Sequence, residues 1–127
     1  MFHYTVETNK SIQKAVESLE TNLKEKKFGV QWQFDIKETL QKKGFDFSDD
    51  FIVLEVCNPK EAQNMLTQNK MVGYFLPCKM VVYDDAGTTK IGMPRLTSLI
   101  EMVEDEELKK FAADIEKNLI ACIDKSI

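Results

Sequence analysis

The chain has 127 residues, close to the most common size of a single domain, and 21 acidic against 17 basic residues give it a formal charge of −4. Hydrophobic residues at 43% and charged residues at 30% are typical of a globular protein and exclude a disordered chain. The acidic balance argues against nucleic-acid binding, and no apolar run approaches the roughly 20 residues that span a bilayer. We therefore expect one cytoplasmic domain over residues 1–127, without nucleic-acid or membrane partners.

The N-terminal part of the chain predicts a strand followed by a helix. Apolar and polar residues alternate over residues 2–7, which predicts a strand with one buried face. Apolar residues then recur at helical spacing over residues 12–23. We expect Thr8 or Asn9 to cap the start of this helix and Gly29 to lie just past its end.

A second strand is predicted over residues 30–36, where apolar and polar residues again alternate. Its aromatic residues Trp32 and Phe34 fall on the apolar face, so we expect them in the core. Residues 37–43 predict a short helix or turn that ends at Gly44.

Residues 51–57 are apolar at both even and odd positions, which predicts a central strand covered on both faces. Glu55 and Cys57 share one of these faces, because side chains alternate along a strand. A helix is predicted directly afterwards, with Asn58 as its N-cap and Pro59 as its first residue.

The C-terminal half predicts a hairpin and two helices. The hairpin arms are residues 75–83 and 88–93, and Pro77 in the first arm indicates an edge strand, a bulge or a late strand start. A short helix over residues 96–103 is followed by an acidic run and a long helix with an apolar stripe over residues 108–123. We expect this last helix to pack on the sheet or on a partner chain.

Cys57 and Cys78 are the leading candidates for chemistry, and Glu55 is the third. Cys57 ends a strand immediately before a helix N-terminus, where the helix dipole stabilises a thiolate and lowers the thiol pKa below about 8.5. If the strands that carry Cys57 and Cys78 are neighbours, both sulfur atoms lie at one end of the sheet together with Glu55. The alternative is structural, since free cysteines are often buried as small apolar residues.

Two thiolates and a carboxylate are ligands that suit zinc or another thiophilic divalent ion. The spacing of Cys57 and Cys78 matches no established zinc motif, so we assign no metal ligands and leave the cofactor open. A redox pair stays a further alternative, because it depends on a distance that sequence does not supply. The three cysteines lack a CxxC pair and are expected to be reduced.

Asn58 and Arg95 are candidates for ligand binding. Arg95 is the only arginine and follows Gly92-Met93-Pro94, a stiff turn that can hold a guanidinium toward a carboxylate or phosphate. An ordinary ion pair is the alternative for Arg95. Helix capping is the alternative for Asn58. His3, the only histidine, lies on the polar side of the first strand and suggests a surface role.

Two short motifs carry a resemblance to a known family. Cys57-Asn58-Pro59 after an apolar strand and Leu76-Pro77-Cys78 before a second one, together with the stretch 29–40, resemble the domain-of-unknown-function family 302 over about residues 2–95. The resemblance implies an α+β fold of two layers, a curved antiparallel sheet covered by helices as in the TATA-binding protein. It also implies dimers, and a family without an established activity.

The chain departs from the family at Gln63, where many members have a histidine, and this removes a good ligand or base from the candidate site. The first hypothesis is a homodimeric binding protein with a small polar pocket for an unknown small molecule near Cys57 and Cys78. The second is a thiol-dependent or metal-dependent enzyme that uses Cys57 with Cys78 and Glu55. The third is a purely structural or interaction protein.

Overall fold

The chain forms five strands and five α-helices, and the computed structural model describes all of residues 1–127. Two 3₁₀ segments, Lys70–Tyr74 and Ile100–Met102, lie between these elements. In chain order the elements are β1 (His3–Thr8), α1 (Ile12–Glu25), β2 (Gly29–Asp35), α2 (Ile36–Lys42), β3 (Phe51–Cys57), α3 (Pro59–Gln68), β4 (Cys78–Asp85), β5 (Thr88–Pro94), α4 (Leu96–Leu99) and α5 (Glu106–Lys125). None of the helices has both the length and the apolar character needed to cross a membrane.

The five strands form one antiparallel sheet in the order β1-β5-β4-β3-β2. Its main core lies on one face, where α1 and α5 pack against each other and against the strands. Leu54 and Val56 of β3, Met80 of β4 and Ile91 of β5 are fully buried there. This arrangement confirms the predicted α+β class, with an antiparallel sheet packed against helices.

The opposite face of the sheet is only partly covered, so the prediction that β3 is covered on both faces is wrong for this side. Val53 is buried there, but Phe51, Glu55 and Cys57 are half-exposed. The ring of Phe51 stacks on Tyr83 of the neighbouring strand at a centroid distance of 4.9 Å. We call this second side of the sheet the aromatic face.

Trp32 and Phe34 also lie on the aromatic face, because they pair with Glu55 and Val53 of β3. Their rings stack at 5.2 Å, and Trp32 is 55% exposed. The prediction that these aromatics are in the core is therefore wrong. The physical reason is position: β2 is an edge strand, and its register shifts between Val30 and Trp32.

The start of α1 differs from the prediction. Its N-cap is Ser11, whose hydroxyl accepts a hydrogen bond from the backbone N–H of Lys14 at 3.2 Å. Thr8 cannot take this role, because it is the last residue of β1, and Asn9 makes no such contact with the helix. The cap thus lies after Asn9 in the chain, because β1 extends as far as Thr8.

Several turns use residues with positive φ. At the end of α1 it is Lys27 (φ 66°) that adopts this conformation, whereas Gly29, the residue expected there, begins β2. Gly44 (φ 83°) follows α2 as predicted. In the β4–β5 hairpin Ala86 and Gly87 both have positive φ, as a tight two-residue turn requires.

The remaining elements follow the predictions closely. β4 begins at Cys78, directly after Pro77, so the proline marks a late strand start. The Leu76–Pro77 peptide bond is cis. Helix α5 is capped by Asp105 and buries its apolar stripe, but that stripe also contains a buried Glu116.

Candidate functional site

Strands β4 and β5 separate at one end, in the middle of the sheet. Their pairing ends at Val81 and Gly92, although β4 begins at Cys78 and β5 continues to Pro94. On the outer sides the pairing continues, from β3 to Cys78 and from β1 to Pro94. The ladder between β4 and β5 therefore ends before the two strands do, and we call this unpaired end the gap.

The backbone of Lys79 faces this gap. Asp84 donates its N–H to the carbonyl of Asp50 at 2.9 Å, so the backbone of Asp84 points toward β3. Backbone groups alternate in direction along an antiparallel strand, and Lys79 lies an odd number of residues away. Its N–H and C=O consequently point toward β5.

Pro94 explains why the pairing stops. Arg95 donates its N–H to the carbonyl of Phe2 at 2.6 Å, so the preceding residue, Pro94, points away from β1 and toward β4. Pro94 is the residue that would lie opposite Lys79 if the pairing continued by two more residues. A proline has no N–H to donate, so this pair cannot form both of its hydrogen bonds.

A cavity of about 430 Å³ occupies the gap and extends between the helices beside it. Seven of its twelve lining residues are hydrophobic, so the prediction of a polar pocket near Cys78 is wrong in character. Met93, Leu96 and Leu119 form buried parts of the wall, whereas Tyr74 and Leu99 are exposed at the rim. The complete lining is Glu55, Tyr74, Phe75, Pro77, Cys78, Lys79, Met93, Pro94, Leu96, Leu99, Glu116 and Leu119.

Glu116 is a buried carboxylate in the cavity wall, and the sequence analysis did not identify it. It is 7% exposed and accepts hydrogen bonds from the backbone N–H of Thr97 at 3.1 Å and from its hydroxyl at 2.9 Å. The sequence does indicate that Glu116 is buried, because it lies four residues after Ala112 and three before Leu119 in an otherwise apolar stripe of the helix.

Arg95, a predicted ligand-binding residue, contacts this carboxylate rather than the cavity. Its Nε lies 3.5 Å from Oε2 of Glu116, and Arg95 is not among the lining residues. The Nε atom is buried and has no hydrogen-bond partner, so the contact is an ion pair without a hydrogen bond. The arginine thus balances the buried negative charge beside the cavity.

Cys57 and Cys78 lie at the same end of the sheet, since β3 and β4 are neighbours as the candidate site required. Their side chains point to opposite faces, however. Val56 lies opposite Cys78 and shares its face, and Cys57 follows Val56 along the strand. Both thiols are free, and diverging Cβ directions do not suit a disulfide.

The space between Cys57 and Cys78 is small. A cavity of about 10 Å³ is lined by both cysteines and by Asn58, which is room for about one water molecule and no substrate. Asn58 caps α3, because its side-chain oxygen accepts from the N–H of Glu61 at 3.2 Å. Asn58 also borders an open polar depression of about 450 Å³ that includes Lys26 and Glu61.

Burial is the main cause of the pKa shifts of the Cys57 and Cys78 thiols. It raises the pKa of Cys57, opposite to the shift expected from the helix N-terminus alone. It raises the pKa of Cys78 to about 12, with smaller contributions from the charges of Cys57 and Glu55. Both groups are therefore thiols at neutral pH, and the thiolate is the nucleophilic and metal-binding form.

The residues near the cysteines do not assemble a metal site. Glu55 and Cys78 both line the large cavity, but no group of three or more His, Cys, Asp or Glu side chains is arranged to hold an ion. A structural zinc site needs four such ligands and a catalytic one needs three. The donor set that the sequence suggested for zinc is thus incomplete.

The raised pKa values predict slow thiol chemistry. At pH 8, iodoacetamide should label Cys78 of the folded protein at least about 100-fold more slowly than in urea, since a pKa near 12 leaves little thiolate. Peptide mass spectrometry separates the two sites, and Cys57 should also be slower in the folded state. Rapid labelling of folded Cys78 at pH 7 would contradict the assignment.

The chain is similar to known proteins over its whole length. The family model described as "Domain of unknown function DUF302" matches residues 4–126. The crystal structure of an uncharacterized conserved protein DUF302 from Bacillus stearothermophilus is 55% identical in sequence and has a TM-score of 0.97. The similarity covers 100% of this chain and 99% of that one. No curated protein matches the chain.

Proposed function

Since the chain belongs to the DUF302 family, whose description assigns no activity, we propose that it is a binding domain for a small apolar molecule. The observation that carries the proposal is the apolar cavity of about 430 Å³ between β4 and β5. Ligand sites are concave and mainly apolar, with a few polar groups that fix orientation, and most fall within about 300–1,000 Å³.

The rim of the cavity supports a binding role. Tyr74 is 80% exposed and Leu99 is 41% exposed, so two large apolar side chains flank the entrance. They come from the 3₁₀ segment before β4 and from α4. A ligand that enters between them removes this apolar surface from water, which favours binding.

Binding fits this site better than thiol catalysis by Cys57 with Cys78 and Glu55. A nucleophilic cysteine needs an accessible thiolate, whereas burial raises the pKa of both cysteines. The space that Cys57 and Cys78 share accepts about one water molecule. The larger cavity is lined by Cys78 but not by Cys57.

Ligand-detected NMR with a library of small apolar fragments tests the proposal, with ¹⁵N spectra of the protein to locate the hits. We expect hits to shift the amide signals of Lys79, Met93 and Leu96. In a Leu99→Trp variant the affinity of these fragments should fall by at least about tenfold, because the larger ring narrows the entrance. Leu66→Trp is the matched control, since Leu66 is 37% exposed and outside the cavity. An equal loss of fragment affinity in both variants, or the absence of any binding fragment, would reject the proposed function.

We also propose that the protein is a homodimer, joined through the aromatic face. The two stacked ring pairs on this face, Trp32–Phe34 and Phe51–Tyr83, give it the aromatic character of protein interfaces. A two-fold dimer places the same patch of each copy in contact. Light scattering should give twice the chain mass for the wild type and the single-chain mass for Trp32→Lys. Phe45→Lys, at a 63% exposed site in the loop before β3, should stay dimeric.

The cytoplasm is the compartment we propose. All three cysteines, Cys57, Cys78 and Cys122, are free, which suits a reducing environment. Cell fractionation with acid trapping of thiols tests this placement. The expected result is recovery in the cytoplasmic fraction with all three thiols reduced, and recovery in an oxidised form would oppose it.

A further inference from the structure

We infer that the ligand of the β4–β5 cavity is a long-chain molecule with an uncharged head group. Its tail fills the cavity, and the rest of its chain leaves between Tyr74 and Leu99 and lies against Met102. The inference rests on the proposed binding function and specifies the chemical class of the ligand. The observation that carries it is a row of apolar residues that continues from the cavity wall onto the surface.

Leu96, Leu99 and Met102 form this row. They are spaced three residues apart along α4 and the 3₁₀ segment that follows it directly, so neighbours in the row lie on the same side of one helical stretch. Leu96 and Leu99 line the cavity. The exposed fraction rises from 5% at Leu96 to 41% at Leu99 and 93% at Met102, so the row leads outward from the cavity.

The other flank of the entrance has a matching pair. Tyr74 and Met71 are three residues apart in the 3₁₀ segment Lys70–Tyr74, and they lie one above the other because such a helix has three residues per turn. They are 80% and 51% exposed, and Tyr74 lines the cavity. A chain that leaves the cavity therefore meets apolar side chains on both flanks.

One elongated molecule fits the cavity and these side chains together. The row is continuous with the wall of a cavity of about 430 Å³, which has room for a small molecule and not for a folded partner. Each CH₂ group that is buried against an apolar side chain improves the affinity by about fourfold. A chain that extends beyond the cavity therefore gains affinity from Met102.

The outer end of the row is acidic, which restricts the head group of the ligand. Glu101, Glu104 and Asp105 lie beside Met102 in the chain, and no basic residue occurs within residues 96–108. A negative head group at this place is repelled. The expected class is a long-chain compound such as a fatty alcohol, rather than a fatty acid or an anionic lipid.

Two alcohols of different length test the chain, with protein that carries ¹³C in its methionine methyl groups. 1-Hexanol and 1-decanol should both shift the methyl signal of Met93, since Met93 lines the cavity. Only 1-decanol should also shift the signal of Met102. A response of Met93 to 1-decanol without a response of Met102 would overturn the inference and leave the binding function standing. No response of Met93 to either alcohol would count against both.

A Met102→Ser variant tests the contribution of the row to affinity. It should bind 1-decanol at least about fivefold more weakly and 1-hexanol within about twofold of the wild type, because only the longer chain reaches this side chain. Phe45→Ser is the control and should change neither affinity, since Phe45 is 63% exposed and precedes the start of β3, whereas the cavity lies near its end. Equal losses for both alcohols would overturn the inference. A lower mass of Met102→Ser in light scattering would also overturn it, because the row would then be a contact between protein chains.

Sodium decanoate tests the head group. At low ionic strength it should bind at least about fivefold more weakly than 1-decanol, and added salt should narrow this difference because it screens the repulsion from the acidic residues. An affinity equal to that of 1-decanol, or a difference that salt leaves unchanged, would overturn the assignment of an uncharged head group.

Discussion

Replacement of Glu116 by alanine is expected to lower the free energy of unfolding by about 3 kcal/mol, because it removes a buried carboxylate that accepts two hydrogen bonds and faces the Nε of Arg95. Glu116 is 7% exposed and accepts two hydrogen bonds from Thr97, one from its backbone N–H and one from its hydroxyl. Without the carboxylate, the two donors of Thr97 lose their only acceptor inside the protein, and the buried Nε of Arg95 loses the negative charge beside it. The unpaired groups, rather than the lost packing, account for most of the cost.

Urea unfolding followed by far-ultraviolet circular dichroism measures this effect. Glu116→Gln keeps the acceptor oxygen and should cost less than Glu116→Ala. Asp114→Ala is the control on the same helix, since Asp114 is exposed and makes no hydrogen bond, and it should change stability by less than about 0.5 kcal/mol. A double-mutant cycle with Arg95→Met then gives the coupling between the two charges. A loss below about 1 kcal/mol in Glu116→Ala would contradict the structural role of the pair.

Leu54→Ala is expected to destabilise the protein by about 3–4 kcal/mol, because it leaves a cavity in the centre of the core. Leu54 is fully buried in β3, between β2 and β4, on the face that α1 and α5 cover. The neighbouring strands are fixed by their own pairing, so the space left by the lost methyl groups collapses only partly.

The matched control for Leu54 is Leu66→Ala in α3. Leu66 is 37% exposed, and alanine favours the helix, so this change should cost less than about 1 kcal/mol. Equilibrium unfolding of both variants in urea gives the comparison, provided that the slope with denaturant stays the same. Similar losses at the two sites would contradict the assignment of the core to the α1–α5 side of the sheet.

Local patterns predicted the elements of the fold well. The apolar stripe of α5 and the helical spacing of the apolar residues in α1 each depend on neighbours along the chain, and both are confirmed. The prediction that Trp32 lies in the core was wrong, because the burial of this side chain depends on strand order. Alternation assigns Trp32 to a face of the sheet, but only tertiary structure determines that β2 lies at the edge.

The candidate site was harder to predict, because it depends on residues that are distant in sequence. Lys79 and Pro94 face each other across the gap because of the register between β4 and β5, which local sequence patterns do not supply. The position of Cys57 and Cys78 at one end of the sheet was predictable from strand order, but their burial, which decides the thiol pKa, was not. Glu116 was visible in the sequence as a charge within an apolar stripe, and its ion pair with Arg95 required the structure.

Trp32 on the aromatic face has a practical consequence for spectroscopy. It is the only tryptophan of the chain and is already 55% exposed in the folded state. In the monomer its emission should therefore shift little when the core unfolds, and a small change would wrongly suggest a stable protein or an incomplete transition. The emission wavelength of Trp32 should shift strongly when another surface covers the side chain. It therefore reports contacts made by the sheet rather than the integrity of the core.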